Sequence, residues 1–280
     1  MQINNVVVIS DTHCGCGMAL CPPEGVSLDD GGTYMPSAFQ RKIWERWTAF
    51  WEEWVPEATK GEPYAVVFNG DAIDGVHHNS TTQITHNLAT QVQIAYNCLK
   101  PIVDKCDGRY YHIRGTEAHV GKSAVEEESL AKQLEALPNE IGQYARYDLW
   151  KSIGNNKLIH LLHHIGTTGS QAYEATAVHK ELVESFVEAG RWNQRRPDVI
   201  VRSHRHRSLK TSIPVAGDGD ETGEATAVVT ACWQGKTPFV WKIPGGRLAT
   251  PQWGGALVRY AHDVLFVQTK VWTVDRSPTE

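Results

Sequence analysis

An α/β fold organised around two sheets is what this chain of 280 residues predicts, on three observations. Its first half alternates short β-branched runs with amphipathic helical segments, the rhythm of a mostly parallel sheet. From Ala145 onward strand-like runs dominate, which requires a second sheet. Five of the runs end in loops bearing Asp, Glu or His, and parallel strands gather such loops at their carboxyl ends.

The elements follow in order. "INNVVVIS" is a short apolar run that enters the glycine-bearing loop "DTHCGCG", so it reads as a buried strand. After a Gly/Pro/Asp-rich stretch from Gly15 to Pro36 comes "SAFQRKIWERWTAFWEEWVPE", a Trp-rich helical insert near 37–56. Trp44, Trp47, Trp51 and Trp54 recur at three- and four-residue steps, a face that packs on a core. Tyr64 to Phe68 repeats the strand and leads into the acidic loop "NGDAIDG". A helix is expected from Thr82 to Val103, with Ile84, Leu88, Val92, Tyr96 and Leu99 inward, and then the strand "RYYHIRG", the loop "GTEAHVG" and the helix "SAVEEESLAKQLEAL".

Beyond Ala145, "ARYDLWKSIGNNKLIHLLHHIG" reads as two strands joined at Gly154-Asn155-Asn156. A helix from Ser170 to Ala189 leads to the strand "PDVIVRS". The runs "SLKTSIPV", "EATAVVTACWQ", "FVWKI" and "GGALVRYAHDVLFVQTKVWTV" are all expected as strands. No repeat, low-complexity tract or linker interrupts the chain, so residues 1–280 are expected to form a single domain.

Composition narrows the function classes. A hydrophobic fraction of 41% and ten tryptophans suit a large core, and a net charge of −5 gives no global attraction for nucleic acid. No apolar segment approaches the roughly 20 residues of a membrane span. Met1 to Ser10 lacks the flanks of a signal peptide, so a soluble cytoplasmic protein with no membrane partner is expected. The sequence leaves the oligomeric state open. Cys14, Cys16, Cys21, Cys98, Cys106 and Cys232 are irregularly spaced, as reduced thiols are. Cys14, Cys16 and Cys21 with His13 lack the spacing of a structural zinc site, and no G-x-S-x-G elbow announces a serine hydrolase.

The polar clusters carry the chemistry. In order they are Asp11-x-His13, Gly70-Asp71-x-x-Asp74, Gly115-Thr116-Glu117-Ala118-His119, His163-His164 and Ser203-His204-x-His206. Along an extended chain His204 and His206 point to one side, roughly 6 to 7 Å apart, and two such imidazoles can share a metal. A lone Asp-x-His or His-x-His is a commonplace loop. Five clusters at one topological position are a site.

In these blocks the chain resembles the calcineurin-like metallophosphoesterase superfamily, whose signature runs D-x-H, GD-x-x-D, GNH-[DE], a strand-terminal H and GH-x-H. The resemblance spans Asp11 to His206. It implies a two-sheet β-sandwich flanked by helices, four layers in the order α/β/β/α, and a phosphatase, phosphodiesterase or nuclease that hydrolyses a phosphate mono- or diester with water activated by two divalent metal ions. It further implies that Asp11, His13 and His206 hold one ion, that His163 and His204 hold the other, and that Asp71 bridges them. His163 is preferred to His164 because it directly follows the apolar Leu161-Leu162. Asp74 is expected to orient the loop or a ligand. Carboxylate oxygen with imidazole nitrogen suits manganese first, with iron, zinc or nickel as alternatives, better than calcium.

The third block departs from the signature. Thr116 stands where the family has the Asn ligand and offers a weak neutral oxygen, while Glu117 offers an anionic one. His119, two residues past the expected position, is the candidate general acid; water, His77 or His78 are the alternatives. Arg202, Arg205 and Arg207 alternate with the histidines and are expected to point away from the metals. With Arg191, Arg195 and Arg196 they form either a basic rim for a polyanion such as nucleic acid or ordinary salt bridges. The Gly166–Ser170 segment is either an anion-binding helix start or a flexible cap. The expected partner is a phosphate-ester substrate. Because some proteins of this fold act as interaction scaffolds with impaired metal sites, the altered third block makes that the alternative to an enzyme. Retention of six ligand-type residues favours the enzyme.

Overall fold

The computed structural model describes residues 3–77, 79–166, 170–217, 221–243 and 246–274. Its strands are β1 (Asn5–Ile9), β2 (Val26–Ser27), β3 (Thr33–Tyr34), β4 (Ala65–Asn69), β5 (Tyr110–Ile113), β6 (Ala145–Arg146), β7 (Asp148–Ile153), β8 (Lys157–Leu162), β9 (Val199–Arg202), β10 (Leu209–Ala216), β11 (Thr222–Val229), β12 (Gln252–Ala261) and β13 (Val264–Thr273). The α-helices are α1 (Ala38–Ala49), α2 (Val55–Thr59), α3 (Leu88–Val103), α4 (Glu117–Val120), α5 (Val125–Gln133), α6 (Glu174–Arg191) and α7 (Pro238–Lys242).

Two sheets organise these elements, the first in the order β13-β12-β1-β4-β5-β6 and the second in the order β10-β11-β9-β8-β7. Pairing is parallel from β1 through β4 and β5 to β6, and from β8 through β9 to β11; the edges beyond β1, β8 and β11 are antiparallel. The β7–β8 hairpin turns at 154–156 as its Gly-Asn-Asn tripeptide predicts.

Alternation along the strands sorts the core. Val6 and Val8 of β1 and Val67 of β4 join Ile159 and Leu161 of β8 and Val199 and Val201 of β9 in one buried apolar cluster shared by both sheets. Val7, Ile9, Val66 and Phe68 face the opposite way, into a cluster with Ile43, Trp47, Leu99 and Leu130 of α1, α3 and α5. Ile200, Ala227 and Val229 pack against Val178 and Leu182 of α6. All six cysteines are buried and free. Among the described residues no helix is long and apolar enough to cross a membrane.

Several boundaries differ from expectation for local reasons. The Trp-rich insert is helical, but a π-helical turn at Phe50–Trp54 separates α1 from α2, turning both Phe50 and Trp51 into the core while Trp44 and Trp54 stay half-buried. α3 starts at Leu88, not near Thr82, because the Asn87 carboxamide accepts from the Ala89 and Thr90 amides and caps it there. α5 is shorter than its pattern, and α6 begins four residues after Ser170. "FVWKI" is not a strand: Pro238 occupies the first turn of α7, where its fixed φ and missing N–H suit a helix start.

Candidate metal centre

The candidate residues converge because β1, β4, β5, β8 and β9 run parallel within their sheets and end at one edge. Backbone bonds then stitch the loops together. Asp11 N–H donates to the Gly70 carbonyl at 2.9 Å, His13 N–H to that of Asp71 at 3.1 Å, and Ser203 N–H to that of His163 at 2.9 Å. Buried hydroxyls of Ser10 and Ser203 both meet Thr230, tying the ends of β1 and β9 to the end of β11.

Six side chains form the centre. Asp11 and His13 meet His206, with the His13 and His206 Nε2 atoms 3.0 Å apart and His206 Nε2 3.3 Å from Asp11 Oδ1. Asp71 Oδ2 lies 3.1 Å from His163 Nε2 and 3.9 Å from His204 Nδ1. Donor atoms of Asp11, Asp71 and His163 also fall within 4.8 Å of one another, so the carboxylates link the two groups. His163 is buried and donates from Nδ1 to the Asn69 carbonyl at 2.6 Å, leaving Nε2 as the inward lone pair of its neutral form. His164 is exposed, but it too has a donor atom within reach of His163 and His204.

The backbone is strained where these residues sit. Asp11, His13, Asp71, His204 and His206 have φ of 54°, 41°, 58°, 71° and 56°, the left-handed region that side chains rarely adopt. Such conformations cost about 1 kcal/mol or more each and cluster at functional sites. Two glycines admit the close approaches: a Cβ at Gly70 would run into the His163 ring, and one at Gly115 into the Asp71 carboxylate.

Buried carboxylates and imidazoles set the electrostatics. Burial disfavours the Asp71 anion, but His163 and His119 outweigh it and hold the carboxyl well below its usual range; Asp11 is lowered in the same way by His13 and His206. Against burial, Asp11 and Asp74 hold His13 up at about 10, and Asp71 holds His163 at about 9. Burial lowers His206.

These observations fit a bound cation. Asp11 Oδ1 is buried with no hydrogen-bonded partner among the described residues. Two nitrogen donors at about 2.1 Å from one ion and at right angles to each other stand about 3.0 Å apart, the separation of His13 and His206.

The third block is resolved by geometry. Thr116 N–H donates to Asp71 Oδ1 at 2.6 Å and its hydroxyl to Oδ2 at 2.9 Å, and the same oxygen lies 3.4 Å from His163 Nε2 and 3.3 Å from His204 Nδ1. A neutral hydroxyl therefore stands beside Asp71, His163 and His204. Glu117 does not supply the anionic oxygen that its position suggested, because the first turn of α4 carries it to the surface. His119 does reach the centre. Its Nδ1 donates to the Asp74 carbonyl at 2.6 Å, and its Nε2 lies 4.0 Å from Asp71 Oδ2. Burial lowers this ring to about 4. His77 packs edge-on against His119 at 4.4 Å, while His78 lies outside the described residues.

Asp74 sits where a supporting carboxylate belongs. One oxygen lies 3.6 Å from His13 Nδ1 and accepts from Gln234; the other accepts from Gln83 and lies 3.6 Å from His77. Sequence reasoning missed three further side chains. Fully buried Glu127 accepts from the Ala72 and Gly115 amides, Gln91 bonds both backbone groups of Gly75, and Asn69 donates to Ser203. The only signal for Glu127 is its place within "EEES", where nothing separates it from its solvated neighbours.

The arginines part company: Arg205 and Arg207 line the cleft beside His204 and His206, against the expectation that they point away, whereas the others lie elsewhere. Arg202 is buried against Glu181 and the His160 carbonyl, and Arg207 pairs with Glu174 at 3.0 Å. Arg205 donates to the Glu174 and Gly166 carbonyls. Arg191, Arg195 and Arg196 precede β9, at the end of the strand away from its histidines, and bond to Glu188, Asn156 and the Ala216 carbonyl. Of the Gly166–Ser170 segment, residues 167–169 lie outside the described residues.

A cleft of about 410 Å³ opens onto the centre, with His13, Asp71, Thr116, His119, His204 and His206 on its floor. No family model and no curated protein matches the chain. Among solved structures, Thermotoga maritima protein TM1076 aligns at 10% identity over 96% of this chain and 100% of that one, with a TM-score of 0.35. Vacuolar Protein Sorting 29 from Cryptosporidium parvum aligns at 12% identity over 98% and 100%, also with a TM-score of 0.35.

Proposed function

We propose that the chain is a metal-dependent phosphoesterase of the calcineurin-like kind, a single four-layer domain that hydrolyses a phosphate mono- or diester. The observation that carries this reading is the meeting of Asp11, His13, Asp71, His163, His204 and His206, five of them on strained backbone, with His13, Asp71, His204 and His206 lining one cleft. Asp11, His13 and His206 would hold one divalent ion, His163 and His204 the other, with Asp71 between them and the Thr116 hydroxyl in place of an Asn ligand. Manganese is the first candidate, then iron, zinc or nickel. When bound, two such ions supply charge neutralisation and Lewis acidity for attack of water at phosphorus.

The chain's own groups do the rest. Asp71 orients both ligand sets and is itself fixed by the two Thr116 donors. Asp74 orients His13. His119, its tautomer set by the Asp74 carbonyl, would take at Nε2 the proton that the attacking water gives up and pass it to the leaving alkoxide.

The test is hydrolysis of bis-p-nitrophenyl phosphate and p-nitrophenyl phosphate by manganese-loaded protein beside Asp71→Asn. Metal-dependent turnover lost in the variant supports the reading. Stoichiometric metal binding without turnover on either ester, with any of the four metals, replaces it with a non-catalytic scaffold.

A further inference from the structure

The cleft has a second wall that the phosphoryl chemistry does not use. It is built by the segment between β11 and β12, which brings Phe239, Val240, Ile243, Ala249 and Pro251 to face the metal-ligand floor. The segment is anchored at both ends to the centre. At its start Gln234 donates to Asp74 Oδ1 at 3.2 Å, and Trp233 N–H donates to the Asp11 carbonyl at 2.9 Å. At its end Gln252 N–H donates to the His206 carbonyl at 2.9 Å, and the Gln252 side chain accepts from Ser208 N–H. These bonds tie residues 233–234 and 252 to the centre, beside the apolar side chains of Phe239, Val240, Ile243, Ala249 and Pro251.

The cations that line the cleft are few, and each meets an acceptor within the chain. Arg205 donates to two carbonyls, Arg207 pairs with Glu174, and Lys236 donates to the Arg247 carbonyl while lying over the Trp241 ring. A polynucleotide needs cations repeated along its path to meet successive phosphates. This cleft offers one anion-accepting centre and an apolar wall.

Resting on the metal-centre reading above, we propose that the substrate is a small phosphate ester of an apolar, aromatic alcohol, whose leaving group packs on Phe239, Val240 and Ile243. The volume of about 410 Å³ accommodates a phosphoryl group and a ring system together.

Isothermal titration of manganese-loaded protein with two non-hydrolysable probes, 1-naphthylmethylphosphonate and methylphosphonate, tests this without relying on turnover. The expected result is a preference of at least about tenfold for the naphthyl probe, falling towards one in Phe239→Ser and in Ile243→Asn. Two variants guard against a folding artefact, and methylphosphonate binding serves as the control within each. Equal affinity for the two probes, a preference that survives in both variants, no binding of either probe, or tighter binding of a single-stranded DNA 12-mer overturns the proposal. A naphthyl preference that persists in metal-free protein and in Asp71→Asn would retain the apolar subsite and remove the metal-centre reading.

Discussion

The Nε2 atoms of His13 and His206 stand 3.0 Å apart although one residue follows β1 and the other follows β9. Their approach beside Asp11 Oδ1, which is buried and accepts no hydrogen bond among the described residues, makes this pair the most direct point at which to test for a metal. Manganese should raise the melting temperature of the native chain, because a ligand that binds only the folded state stabilises it by mass action. In His206→Ala the rise should shrink markedly, as followed by differential scanning fluorimetry across a manganese titration.

The elevated imidazoles predict a pH signature. His13 and His163 carry raised values of about 10 and about 9, so in the metal-free protein they hold protons that the unfolded chain releases above pH 6.5. Their contribution to stability is complete below that pH and is lost as pH rises through 9 to 10. Urea midpoints of metal-free protein should fall over that window. Metal binding, which requires these rings to be deprotonated, should release protons at pH 7, detectable by calorimetry in buffers of different ionisation enthalpy.

On the acid side the informative group is His160. Burial and the adjacent Arg202 lower it to about 3, so the unfolded chain takes up a proton below pH 6.5 that the folded chain refuses. Stability should decline from pH 6.5 towards 3, and His160→Gln should flatten that decline in urea titrations taken at half-unit steps. A decline of unchanged slope in the variant would assign it to other groups.

Thr116 should matter through its hydroxyl. Thr116→Val removes the bond to Asp71 Oδ2 and the oxygen beside His163 and His204, and should lower kcat about tenfold or more. Thr116→Ser should keep most of the activity; equal activity in all three proteins would leave the hydroxyl without a role.

Glu127 is the buried strut between the second and third loops. Glu127→Ala strands the Ala72 and Gly115 amides and should cost about 3 kcal/mol in chemical denaturation. Glu127→Gln keeps an acceptor and should cost less, with a measurable loss of metal affinity because Asp71 and Thr116 flank those amides.

The order of strands and helices was written in local patterns. β-branched runs such as "NVVVI" and "VIVR" are buried on both faces, so residues 6–9 and 199–201 are continuously apolar and the polar loop follows within two residues. That contrast made the polar blocks readable from residues alone. Periodicity was blind to capping and to single-turn insertions, which is why α3 begins at Leu88, the Trp-rich helix changes pitch at Phe50 and Phe239 lies on a helix.

What the tertiary structure decided is how distant groups meet. Only the parallel registers of β1, β4, β5, β8 and β9 bring Asp11 to His206 and Asp71 to His163, across 195 and 92 positions of chain, and only those neighbouring histidines, acting against burial, hold the carboxyls below their usual range. The third block shows the limit most sharply. Residue type made Glu117 the stronger ligand than Thr116, but the helical turn after β5 rotates the carboxylate to solvent and leaves the hydroxyl on Asp71. The arginines, similar in sequence, were separated by direction alone, since β9 places Arg196 at one end and Arg205 at the other. Local sequence determines what a segment offers, whereas the sheet that orders the strands determines which groups it is offered to.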